Sequence, residues 1–320
     1  SVIKKKSLKK TTHLYYPFDV NFICHRFLKK WKPKIAVFVD SEVWPNMYKI
    51  LNSKKIPIIL INGRITKKSF EKWLWFPSFA KEVFGKITIA LPQNKETKKY
   101  LKILGVKKIK LIGNLKYFKN TQKKLKYKSN VNFSKRKIFC AASTHYNEER
   151  IIGKLHLNLR KNYKSLLTIL IPRHIDRTNE IIKELTSLKL KVIKRSSKLM
   201  PKASCDIYLV DTYGEMSKFL KLSNLTFIGG SLIPHGGQNP LEAVRMGNFV
   251  LHGNKINNFI EIYDLLKKFK LATNVNNLYE MEKVFKKKIN FKPSKNILNK
   301  IDNIGKDIFK KNIQEINNYL

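Results

Sequence analysis

Short runs of apolar, mostly β-branched residues alternate with longer amphipathic stretches along almost the whole chain. In the first part these runs are residues 35–40 (IAVFVD), 56–62 (IPIILIN), 87–93 (ITIALPQ) and 109–113 (IKLIG). Helix-patterned stretches such as 44–52 and 94–104 lie between them. A run that is apolar at nearly every position has no solvated face, so it predicts a parallel strand covered by helices on both sides. A second series follows at 137–142, 165–172, 190–194, 206–211, 225–229 and 248–251, and a helical stretch closes the chain at 295–320. Between the two series, 117–134 is polar, rich in lysine and without apolar period. At 320 residues the chain exceeds what one core usually serves. The pattern predicts two doubly wound α/β domains. The first occupies 1–117, a linker 118–134, the second 135–305 and a C-terminal helix 306–320.

Charge is the second constraint. Lys+Arg number 66 against 22 Asp+Glu, a formal net charge of +44. Two readings stay open: lysine spread over every solvated face by compositional bias, or an anionic partner such as nucleic acid, acidic lipid or a phosphorylated substrate. Beyond charge nothing favours nucleic acid, since no helix-turn-helix, zinc-finger or RNP-like pattern occurs. The three cysteines, Cys24, Cys140 and Cys205, are far apart and lack metal-ligand spacing. They fit a reducing setting, with Cys140 and Cys205 as small core residues. No run of about 18 apolar residues is present to span a membrane.

In open α/β sheets ligands sit outside the carboxyl ends of the strands, and the candidate site residues fall there. The richest stretch is 227–259, FIGGSLIPHGGQNPLEAVRMGNFVLHGNKINNF. Its glycines allow close backbone approach, and Asn239, Pro240, Leu241 and Glu242 read as N-cap, N1, N2 and N3 of a helix. Free amides of the glycine-bracketed turn and the helix start would suit a phosphate. Glu242 would take ribose hydroxyls, or it would only complete the cap. Pro172, Arg173 and His174 end a buried run, and Arg173 offers a planar fork for phosphate, or a surface ion pair. Tyr213, Gly214 and Glu215 follow another strand, where a helix is expected to start near Gly214. Ser143, Thr144 and His145, with Asn147, Glu148 and Glu149 behind them, would cap a helix or hold phosphate. In the first domain Glu42 and Lys116 follow strand ends. Phe70, Trp73, Trp75, Phe76 and Phe79 lie among Lys67, Lys68, Lys72 and Lys81. That segment fits either a membrane interface or a core helix.

Together the motifs at 40–46 (DSEVWPN), 62–64 (NGR), 113–116 (GNLK), 142–149, 172–177, 213–215 and 229–259 occur in an order and spacing that resemble the Kdo transferases. These are the enzymes of lipopolysaccharide synthesis that move 3-deoxy-D-manno-octulosonate from its CMP-sugar. The resemblance implies a GT-B fold, two Rossmann-like domains with the active site in the cleft between them. It implies that Pro172, Arg173, Tyr213, Gly214, Glu215, Asn239, Pro240, Leu241 and Glu242 line the CMP site. It places Glu42 and Lys116 at transition-state-stabilising positions. It implies an inverting, metal-independent transfer from CMP-Kdo to a lipid A precursor (lipid IVA), with no cofactor and no nucleic acid. It also implies an anionic membrane surface as partner, at the cytoplasmic face of the bacterial inner membrane. The family's general-base glutamate and membrane-associated segment lie upstream of the motifs present here. The resemblance therefore makes this chain roughly the C-terminal three quarters of such an enzyme, expected to be inactive by itself. The competing readings are another GT-B nucleotide-sugar transferase and a basic nucleic-acid-binding protein.

Overall fold

The computed structural model describes residues 10–118, 133 and 136–320. The chain divides into two compact units, residues 1–119 with 303–320, and residues 120–302. The expected linker at 118–134 lies, apart from residues 118 and 133, outside the described residues.

The first unit runs α1 (Asn21–Trp31), β1 (Ala36–Val39), α2 (Pro45–Ser53), β2 (Ile58–Gly63), α3 (Lys67–Trp73), α4 (Pro77–Phe84), β3 (Ile89–Pro92) and α5 (Lys95–Ile103). Its strands form a parallel sheet in the order β1-β2-β3. The sequence dictates this directly: β3 (IALP) is buried at every position and β2 (IILING) at all but Ile61. A strand flanked by strands and covered on both faces has no polar side to give. The starts of α3 and α5 are capped by side chains, with Thr66 Oγ1 accepting from Ser69 N at 3.2 Å and Asn94 Oδ1 accepting from Thr97 N at 2.8 Å. The start of α2 is capped from a distance. Asp19 accepts from Met47 N at 2.8 Å and Asn46 N at 3.1 Å, so a carboxylate from before α1 satisfies amides behind Pro45.

The second unit runs β4 (Lys137–Thr144), α6 (Glu148–Arg160), β5 (Leu166–Pro172), α7 (Thr178–Ser187), β6 (Val192–Lys194), β7 (Ile207–Leu209), α8 (Met216–Leu220), β8 (Leu225–Ile228), α9 (Leu241–Arg245), β9 (Phe249–His252), α10 (Ile260–Lys268), β10 (Ala272–Asn274) and α11 (Leu278–Lys288). Seven parallel strands lie in the order β10-β9-β8-β4-β5-β7-β6. From β4 the chain winds outward through β5, then returns to place β8 on the other side of β4. The strand order therefore reverses between β4 and β8, the switch point where such sheets bind ligands. One face is sealed by Phe139, Ile152, Leu155, Ile181, Leu185, Met281 and Phe285, which join β4 to α6, α7 and α11.

The last helix, α12, spans Lys295–Asn317. Its later residues pack in the first unit. A Cβ on Gly305 would fall 2.0 Å from Tyr117 O, and Phe118 stacks on Phe309 at 4.1 Å. The expected strand at 109–113 reduces to a single bridge, Ala90 with Ile109. The physical reason is charge, with Lys110 inside the run and Lys108 immediately before it. Lys108 Nζ donates to Tyr319 and Lys110 Nζ to Glu315, which ties the segment to the end of the chain.

Candidate functional site

At the switch point β4 ends in a register shift between Ala142 and Thr144, with Ser143 at φ 55. This bulge turns Thr144 and His145 toward the end of β8. There the chain reaches Gly229, where a Cβ would lie 2.3 Å from Ser143 O and 2.5 Å from Thr144 Cα. Only glycine permits that approach. Into the remaining space comes Glu148, the first residue of α6, with 0% exposure. Its Oε2 accepts from Gly230 N at 2.7 Å and His145 N at 3.0 Å. Its Oε1 accepts from Ser231 N and Leu232 N, both at 3.0 Å. Burial pushes the Glu148 carboxyl up, and the four amides pull against that shift.

The expectation that the Gly229-Gly230 turn offers free amides to a donor phosphate is therefore corrected. Gly229 N donates to Ala142 O at 2.9 Å, and the amides of Gly230, Ser231 and Leu232 are filled by the protein's own carboxylate. The second glycine pair is tied in as well: Gly237 N donates to Gly230 O at 2.7 Å and Asn258 N to Gly236 O at 3.0 Å.

Outward from this floor lies an imidazole cluster. His145 Nδ1–H donates to Ser143 O at 3.0 Å, which fixes the tautomer and leaves Nε2 as a bare acceptor. That atom is buried with no partner among the described residues, and His145 is 6% exposed. Burial lowers the His145 pKa to about 4, so the ring is neutral. His235 lies 4.1 Å away and His174 5.7 Å, centroid to centroid. Arg173 N donates to Thr144 O at 2.9 Å, seating the β5 end beside the bulge. The Arg173 guanidinium is exposed and makes no hydrogen bond or ion pair among the described residues. Pro172, before it, is buried.

The remaining candidates divide by what already occupies them. Tyr213 is 74% exposed and Gly214 sits at φ 83. Glu215 is engaged, with Arg195 at 3.1 Å and the Thr212 hydroxyl at 2.6 Å. Burial works against its ionisation, yet the Arg195 and Thr212 bonds hold its carboxyl below the usual range. Asn239 Oδ1 accepts from Leu241 N at 3.0 Å, and Pro240 and Leu241 are buried. The expected capping box does not close: Pro240 rather than Asn239 stands at the N-cap of α9, and Glu242 accepts from the Ser217 hydroxyl of α8. That bond joins the first turn of α8 to the first turn of α9. Helix α8 begins at Met216 and has only five residues, as does α9.

In the first unit the strand ends carry their own polar network. Asn62, at φ 50 beside a register shift, donates from Nδ2 to Asp40 Oδ1 at 3.1 Å and accepts at Oδ1 from Leu115 N at 2.9 Å. Asn114 accepts from Lys116 N at 2.9 Å and donates to Gln93 at 3.3 Å. Lys116 is half-buried; burial pushes its pKa down, Asp40 opposes this and Arg64 adds to it. Glu42 is exposed and accepts from Trp44 Nε1–H at 2.6 Å. Asp40, Asn62 and Asn114 fall within the motifs at 40–46, 62–64 and 113–116 but received no role from sequence, and Gln93 was not singled out, because each also reads as an ordinary turn or cap residue. The aromatic segment is split. Phe70 stacks on Tyr100 at 4.2 Å and Trp73 meets Phe84 edge-on at 5.0 Å, whereas Trp75, Phe76 and Phe79 are exposed. Among the described residues no group of three His, Cys, Asp or Glu could hold a metal ion, and no helix is long and apolar enough to cross a membrane.

Two Rossmann-like α/β units in one chain define the GT-B architecture. The fold is similar to that of UDP-GlcNAc 2-epimerase from Methanocaldococcus jannaschii, with TM-score 0.55 over 93% of this chain and 80% of that one. At 15% identity this likeness is one of fold alone. The chain is also similar to the C-terminal CMP-Kdo binding domain of WaaA from Acinetobacter baumannii, at 25% identity and TM-score 0.47, covering 56% of this chain and 90% of that one. Residues 1–119 match the family described as 3-deoxy-D-manno-octulosonic-acid transferase (kdotransferase). The 3-deoxy-D-manno-octulosonic acid transferase of Haemophilus influenzae is 32% identical over 94% of this chain and 71% of its own length. That of Rickettsia typhi is 32% identical over 79% of this chain and 55% of its own. The chain belongs to the Kdo transferase family. It spans little more than half the length of the Rickettsia relative and 71% of the Haemophilus one.

Proposed function

We propose that this chain serves as a glycosyltransferase in the transfer of Kdo from CMP-Kdo to a lipid A precursor, lipid IVA. Family membership supports the reaction class. The observation that carries the donor assignment is Arg173: an exposed guanidinium without a partner among the described residues, at the end of a strand next to the switch point. A cation so placed suits the phosphate of a cytidylate, which its planar fork can bind through two hydrogen bonds. Tyr213, Gly214 and Asn239 to Glu242 complete the CMP site on this reading. Glu215 is held by Arg195, and Glu242 ties α9 to α8 through Ser217.

As CMP departs, negative charge grows on its phosphate, and a preorganised donor such as Arg173 stabilises it. Glu42 and the partly desolvated Lys116 serve the transition state in the first unit. The transfer inverts the anomeric centre and proceeds without a metal, so chelators leave the rate unchanged. The enzyme works at the cytoplasmic face of the inner membrane. There the exposed Trp75, Phe76 and Phe79 enter the interface, and Lys67, Lys68, Lys72 and Lys81 meet anionic headgroups.

Calorimetry with CMP tests the donor assignment in the full-length protein. Arg173→Ala is expected to weaken CMP binding by about tenfold or more, the loss of a charge-assisted hydrogen bond. Unchanged affinity removes Arg173 from the site.

A further inference from the structure

The crevice between β4 and β8 is where a doubly wound sheet ordinarily receives an anionic ligand on backbone amides. Here four such amides, those of His145, Gly230, Ser231 and Leu232, converge on the Glu148 carboxylate. Each oxygen takes two N–H groups. No position remains on either oxygen for a proton of its own, and a side-chain NH₂ in place of either oxygen would face donors only. We propose that Glu148 is a positioning residue of the donor site, an internal anion that permanently occupies the amide nest and fixes both rims of the crevice. The proposal rests on the donor-site reading above and goes beyond it. It assigns the site's organisation to a residue that does not touch the donor.

The connections can be followed in both directions. On one side Glu148 holds His145 N, the ring of His145 is tied to Ser143 O, and Thr144 O holds Arg173 N. On the other, Glu148 holds Gly230 N and Gly230 O holds Gly237 N. Gly237 leads into Gln238, whose carbonyl is held by the Tyr263 hydroxyl at 2.9 Å, and then into Asn239. Ser231 is fixed from below, with its hydroxyl donating to Ile228 O at 2.6 Å and accepting from Gly253 N at 2.8 Å. The turn can therefore move only with its neighbours, and the carboxylate is bonded to both rims, above the Gly229 N to Ala142 O bond of 2.9 Å that joins the strand ends. With the nest filled from inside, the donor phosphate must be met by side chains at the rim, and Arg173 stands there.

Two substitutions in the full-length protein test this. Glu148→Gln keeps the volume and removes the charge, so a purely packing role would leave it neutral. It is expected to lower CMP affinity by about tenfold or more, because amides lose their acceptor. Glu148→Ala opens the nest. Formate or acetate, but not chloride at equal ionic strength, is expected to restore CMP binding to this variant and to raise its melting temperature, since a free carboxylate refills the site. The wild type should show no such dependence. Wild-type CMP affinity in Glu148→Gln overturns the proposal. If the alanine variant is recovered unfolded, its refolding yield becomes the readout, and a yield no better in formate than in chloride also overturns it. Failure of the wild type to bind CMP would instead sink the donor-site reading. The formate dependence of melting would then still report on Glu148 as an internal anion.

Discussion

Replacing Gly229 by alanine should damage the second unit severely. The added Cβ would fall 2.3 Å from Ser143 O, 2.5 Å from Thr144 Cα and 2.7 Å from Glu148 Oε2. Two of these are backbone atoms of a strand end, and the third belongs to a carboxylate pinned by four amides. None can swing aside as the tip of a free side chain would. Overpacking typically costs about 1–3 kcal/mol, and contacts this short against backbone put the cost at the upper end, about 3 kcal/mol. In a unit of this size each kcal/mol moves the melting midpoint by roughly 2–4 °C, so the expected fall is roughly 6–12 °C. Gly247 supplies the control. It sits at φ 95 with nothing within 4 Å of an added Cβ, so Gly247→Ala carries only the left-handed conformational penalty, about 1 kcal/mol. Scanning calorimetry of both variants, following the transition that CMP shifts, separates the two costs. Equal midpoints, or a Gly229→Ala midpoint within about 2 °C of wild type, would refute the steric reasoning.

Two further outcomes follow from buried polar groups. His156 lies between the Thr168 hydroxyl at 2.9 Å and Asp206 Oδ1 at 3.3 Å, and burial lowers its pKa to about 4, against the pull of Asp206. The folded state thus favours the neutral ring, and the resulting stability is present above the unfolded pKa near 6.5 and lost as pH falls toward 4. The loss amounts to about 3 kcal/mol across that window. Urea unfolding from pH 7 to 4 should show it, and His156→Gln should flatten this part of the profile; an unchanged slope would assign the loss elsewhere. Asp19→Ala should destabilise the first unit by about 1–2 kcal/mol, since it uncaps α2 at Asn46 and Met47. An unchanged urea midpoint would show that water replaces the cap.

What the sequence revealed and what it hid have a common cause. Runs such as 166–172 and 58–63 are legible as covered strands because burial on both faces leaves them apolar at nearly every position. The short strand β10 reads ATN, with only Ala272 buried, and carries no such signal. The run at 109–113 carried the signal, but Lys110 within it and Lys108 just before it bond near the chain terminus more than 200 residues away. Arg173 and the glycine-rich turn were visible as strand-end motifs, since strand order and turn chemistry are local. The partner of the turn was not, because Glu148 stands 82 residues before Gly230 and reads locally as a first-turn acid of α6. Asp19, 27 residues before Asn46, is hidden in the same way. Periodicity reports which face is buried; it does not report which carboxylate fills which set of amides.

The central claim is the transfer itself. The direct measurement is radiolabelled Kdo transfer from CMP-Kdo to lipid IVA by the full-length protein, run beside UDP-sugars as donors. Labelled Kdo should appear on the lipid with the cytidylate donor alone, and Arg173→Ala should lower the yield. No product from CMP-Kdo, or product from a UDP-sugar instead, would contradict the account.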